Sequence, residues 1–132
     1  MNLLDANTSM QILSMAFLAI LFLQSGLDKV FNYKGNYEWL KGHFAKSPLK
    51  STVPVMVPVI TLLETVAGLL SAIGLVLFLV NGDTQIGLYG AQLSGVAIVA
   101  LFFGQRVAQD YAGAANLVGY FIVCLAAIHL LA

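Results

Sequence analysis

Glu64 is the one charged side chain in the apolar run from Val53 to Val80, and no other charge falls between Lys50 and Asp83. If that run crosses a bilayer, its carboxylate lies in hydrocarbon, where a charge costs at least ~2.5 kcal/mol and is expected to face a bundle interior and meet a partner. Such a group has two uses. It can bind the head group of a lipid-soluble molecule such as a quinone, or pass a proton. Alternatively, it fixes helix register through a hydrogen bond to Gln24 or Asn116. Asp28 and Lys29 either gate access to the same polar layer or end their helix as an interfacial pair. Arg106 either supplies the counter-charge to Glu64 or anchors topology from a short connector. Asn116 either faces a ligand or joins two helices. The candidate cofactor-binding set is therefore Glu64, Gln24, Asn116, Arg106, Asp28 and Lys29, and no residue is assigned as catalytic.

Other reactive side chains are poor candidates. Cys124 is the one cysteine, which excludes an internal disulfide and a Cys-x-x-Cys relay. His43 and His129 fall on different elements and, by depth, opposite faces, so they cannot share a metal. No haem, iron–sulfur or zinc pattern is expected. The glycines lie within apolar runs rather than after a strand, so they form no phosphate-binding loop.

These residues need membrane helices to position them. The chain is 60% hydrophobic and only 9% charged, whereas a soluble domain carries roughly 25% charge. Its length suits a single domain. Its net charge of zero argues against nucleic acid as a partner. Met1 to Ser9 holds no lysine or arginine, so the first apolar run reads as a retained span rather than a cleaved signal.

Apolar runs predict spans over about 10–31, 54–80, 85–104 and 111–131. Thr8-Ser9 offers a cap for the first. In it Ser14, Phe17, Leu21, Gln24 and Asp28 share one face, which is expected to point inward. Glu64, Ala67, Gly68, Ser71 and Gly74 line one side of the second span, and Gly87, Ala91 and Gly95 one side of the third. Small residues at such positions let a neighbouring helix approach. Asn81-Gly82-Asp83 signals a tight turn. In the only long connection, Tyr37, Leu40 and Phe44 recur at helical spacing within 36–46. That segment reads as a short interfacial helix with aromatics at headgroup level, or else as a polar loop. The fold class is thus all-α, an integral membrane antiparallel four-helix bundle with a short helix in its first loop.

Antiparallel order brings Gln24, Glu64 and Asn116 to depths that agree within roughly 5–8 Å at 1.5 Å per residue. One half of the bundle then holds a polar layer, with Lys29 and Arg106 above it. All 6 Lys and Arg residues fall on that face. The positive-inside rule places it in the cytoplasm, with both termini outside, in what is expected to be a bacterial inner membrane.

The end of the first span, Gly26-Leu27-Asp28-Lys29, resembles a signature of the DoxX-like membrane proteins. So does the second span, with Glu64 followed by Gly68 and Gly74. The long first loop and tight second turn are also similar to that family. The resemblance implies association with membrane oxidoreductases and quinone, since relatives include a subunit tied to quinone-coupled thiosulfate oxidation; distant relatives resemble receptor chaperones. The leading expectation is a non-catalytic or weakly catalytic subunit of a redox complex, in contact with the bilayer and with other membrane subunits or copies of itself. A second is an accessory or assembly factor that meets a larger membrane protein through its small-residue faces. A third is a small transporter or proton pathway.

Overall fold

A computed structural model describes residues 2–132. Its helices are α1 (Ala6–Phe31), α2 (Tyr33–His43), α3 (Val53–Asn81), α4 (Gln85–Val107) and α5 (Tyr111–Leu131), with a 3-10 turn at Lys50–Thr52 before α3. The segments containing α1, α3, α4 and α5 are each long and apolar enough to cross a membrane. Large apolar side chains such as Ile20, Leu62, Val76 and Ile122 stand exposed on their outer surfaces. In water such a belt would be an aggregation site; in a bilayer it is the lipid-facing surface. This is an integral membrane four-helix bundle.

Local chemistry sets the helix ends. Asp5, not Thr8 or Ser9, caps α1: its carboxylate accepts the Thr8 N–H at 3.1 Å, so the helix starts at Ala6. Pro54 occupies the first turn of α3, where a missing N–H costs nothing. Gly82 ends α3 with φ 74°, a left-handed conformation that favours glycine. Asp110 caps α5 by accepting the Gly113 N–H at 2.9 Å.

The bundle closes in the spatial order α1, α3, α4, α5, with α5 returning to α1. Gly26 lies against Thr65 and Gly68 against Phe22 and Leu23, so α1 and α3 run antiparallel. Gly74 meets Gly87 and Gly90 meets Ser71, which gives α3 and α4 the same relation. A Cβ at Gly68 would sit 2.6 Å from the Leu23 nitrogen, and one at Gly74 would strike the Gly87 backbone. These seams bring backbones into direct contact, as small residues allow in membranes. The small-residue sides of α3 and α4 are therefore occupied by the chain's own helices, leaving the lipid-facing surfaces for any larger partner. Met15, Leu18, Phe22, Phe78, Ile98 and Leu131 fill the core between the seams.

The inward face of α1 differs from the expected one. Met15, Leu18, Phe22 and Gly26 are buried, whereas Phe17 is 43% exposed and Gln24 and Asp28 are exposed. The stripe is displaced by about one residue, or ~100° around the axis. In the first loop the helix begins at Tyr33, directly after Asn32, and none of α2's own residues is buried. The following Phe44 docks it, packing with Val53 and Val57, while Tyr37 and Leu40 lie partly buried against the same cluster.

Candidate functional site

Two short patterns build the site. Gly26 lies one turn before Lys29 on α1, and Gly68 one turn after Glu64 on α3. With both glycines at the α1–α3 seam, the two charged side chains come within reach across it. Lys29 Nζ donates to Glu64 Oε2 at 3.1 Å, with the side chains 18% and 2% exposed. Lys29 also stands in the last turn of α1, where the helix dipole favours a cation. The pair is neutral as a whole, which is how a membrane interior tolerates two charges.

Beside this pair lies a cavity of about 260 Å³, bounded by Lys29, Trp39, Ile60, Leu63, Leu101 and Gln105 among others. It is a wedge between the loop-side ends of α3 and α4, roofed by α2. Val59 and Ala100 form part of its wall and are exposed on helices long and apolar enough to span a membrane, so this side of the cavity lies at the lipid-facing surface. Lys29 has three N–H donors and spends one on Glu64, leaving donors for a molecule in the cavity. The lining is otherwise mostly apolar, with Asn36 and Gln105 as its other polar members. Glu64 stands behind Lys29 and is not part of the wall. A second cavity, about 230 Å³ between α4 and α5, has only apolar walls, including Ile98, Phe102 and Phe121.

The expected polar layer is assembled only in part. Lys29, rather than Gln24, Asn116 or Arg106, is the partner of Glu64. Gln24 precedes Lys29 by five residues, which at ~100° each turns it well away from the seam. It is exposed, as is Asn116 on α5. Asp28 is also exposed and accepts from Asn36 Nδ2 at 3.3 Å. The Arg106 guanidinium lies 4.4 Å from the ring centre of Tyr111 instead of on the carboxylate. Among the described residues no cluster of three or more His, Cys, Asp and Glu side chains gathers as a metal site would require.

Three residues of this region escape a reading by hydropathy. His43 Nε2 lies 2.8 Å from Gln105 Oε1, and the imidazole stacks on Trp39 at 4.8 Å with 13° between planes. The i, i+4 spacing of Trp39 and His43 was the available signal, because it puts both rings on one side of a helix.

The DoxX family model matches residues 16–106. The chain belongs to the DoxX family. Comparison with curated proteins and with solved structures gives no significant match. The DoxX match runs from within α1 to the last turn of α4, so it contains Gly26, Lys29, Glu64 and Gly68 together with every residue lining the cavity under α2. Helix α5 lies beyond it. In this DoxX protein the ion pair and cavity thus belong to the matched region, whereas Asn116 does not.

Proposed function

We propose that this DoxX-family protein is an integral membrane subunit of a quinone-linked oxidoreductase complex, and that the cavity under α2 receives the quinone head group. One observation carries the reading: a Lys29 ammonium with donors to spare lines an apolar cavity at the lipid-facing surface. A lipid-soluble molecule enters such a site without crossing water. Its ring packs on Ile60, Leu63 and Leu101, and its carbonyl oxygen accepts from Lys29. Glu64 holds the ammonium in place and, standing behind Lys29, exchanges a proton with the reduced head group only through it. At about 260 Å³ the cavity is slightly smaller than the ~300–1,000 Å³ usual for ligand sites. That size suits one ring, with the isoprenoid tail left in the bilayer.

The six cations share the α2 face, which by the positive-inside rule is cytoplasmic in a bacterial inner membrane. In such a complex the electrons that reduce the head group are delivered by the partner subunits.

The test is purification from the native membrane in mild detergent, followed by mass spectrometry of retained proteins and quinone. The expected result is co-purifying redox subunits and bound quinone, with the quinone lost in Lys29→Met and Glu64→Leu variants that remain folded. Recovery of the chain without redox subunits, or quinone retention unaffected by Lys29→Met, overturns the proposal.

A further inference from the structure

The roof of the cavity is held at both ends. Near its start, Asn36 Nδ2 donates to Asp28 Oδ2 at 3.3 Å and to the Asn32 carbonyl at 2.9 Å. At its end, His43 Nε2 lies 2.8 Å from Gln105 Oε1 on α4 and 3.8 Å from Asp110 Oδ2 at the start of α5. Asp110 is fixed in turn, because its other oxygen accepts the Gly113 N–H. The His43 ring also stacks flat on Trp39 and meets Phe44 edge-on, with centres 5.0 Å apart at 89°.

Trp39 and Gln105 line the cavity from different elements, α2 and α4. His43 does not line it, yet it touches both. The other packing of α2 is shallow: none of its own residues is fully buried, Tyr37 and Leu40 are only partly buried against the Phe44 cluster, and Gly42 has nothing within 4 Å of its would-be Cβ. An element with few buried contacts opens at low free-energy cost. Phe44 is the exception: it is buried against Val53 and Val57, so the chain just after α2 stays docked if the His43 contact breaks.

We propose that His43 is the latch of a lid: by joining α2 to Gln105 and holding Trp39 flat, it keeps α2 closed over the cavity and sets the rate at which membrane-soluble molecules enter. This rests on the cavity being a ligand site, as in the preceding reading, but on no particular ligand. His43 is a positioning residue, acting through Trp39 and Gln105 rather than on the bound molecule.

The test needs no quinone. Met56, on the cavity wall, is replaced by cysteine in the otherwise intact protein reconstituted in nanodiscs. Its modification by N-ethylmaleimide is followed by peptide mass spectrometry. Native Cys124, fully buried at 0% exposure, serves as the internal control for unfolding. His43→Ala is expected to speed modification at position 56 about fivefold or more, the factor that losing one net hydrogen bond gives, while Cys124 stays unmodified. His43→Gln, which can still bond to Gln105 but has no ring to stack on Trp39, is expected to fall between the parent and His43→Ala. Equal rates in the parent and His43→Ala overturn the latch. So does faster modification of both cysteines, which reports general loosening, or His43→Gln reacting as fast as His43→Ala. Absence of quinone from the purified protein would leave this result standing, and failure of the latch would leave quinone binding at Lys29 unaffected.

Discussion

Removing either half of the Lys29–Glu64 pair should cost unequal amounts of stability, and removing both should cost little. Lys29→Met leaves the Glu64 carboxylate at 2% exposure with no cation beside it. Breaking a buried pair from one side costs ~3–5 kcal/mol. The 18% exposure of Lys29 means solvent already screens part of the interaction, which puts the expected loss near the lower end, about 3 kcal/mol. Glu64→Leu leaves the ammonium instead. Lys29 stands in the last turn of α1, and its four-carbon stem can carry the charge out to the loop face, so the loss should be about 1 kcal/mol. In the double variant Lys29→Met/Glu64→Leu two apolar side chains of similar volume meet across the seam, and the net change should be near zero or stabilising by ~1 kcal/mol.

The coupling energy is then about 4 kcal/mol, well beyond the scatter of independent sites. Unfolding by sodium dodecyl sulfate in mixed micelles, followed by helical circular dichroism, reads all four proteins. Losses below ~0.5 kcal/mol in both single variants, or a double variant as unstable as the sum of the singles, would refute the claim that this pair is a coupled buried contact. A larger loss for Glu64→Leu than for Lys29→Met would refute the argument from the mobility of the lysine.

The glycine seams give a second contrast: Gly74→Ala drives a Cβ into the Gly87 backbone and should lower stability by about 2 kcal/mol. Gly119→Ala meets nothing within 4 Å and should be neutral or gain up to ~1 kcal/mol in the same sodium dodecyl sulfate unfolding assay. Phe44→Ala removes the only buried side chain at the end of α2 and should release that helix without loosening the bundle. Hydrogen exchange is expected to show protection lost over 33–43 and retained in α3 and α4. Lys41→Cys should react with a membrane-impermeant maleimide in inverted inner-membrane vesicles and not in intact spheroplasts, the result that a cytoplasmic α2 requires.

How much of this was legible in the sequence depends on where along a helix a polar residue sits. Glu64 lies deep in α3, about 16 Å from Val53 at 1.5 Å per residue. No side chain reaches water over that distance, so its inward position and its need of a partner follow from hydropathy alone. The small residues on its side, Ala67, Gly68, Ser71 and Gly74, are all buried with it. Gln24 is different. It lies about 10 Å from the end of α1, where a polar group tolerates an outward position, and its polarity therefore says little about rotation. Choosing the α1 face through Ser14, Gln24 and Asp28 placed it one residue off the face that packs. The better marker was Gly26, because a glycine at a helix seam is explained by what it touches, here Thr65, and Lys29 follows it by three residues on the same side. The His43–Gln105 contact joins groups 62 residues apart at the ends of two different helices, α2 and α4, and no helical period links them. Periodicity carries information along an element and none between elements. The bundle and its buried charge could thus be read from single helices, whereas the roof of the cavity became visible only once α2 was folded onto α4.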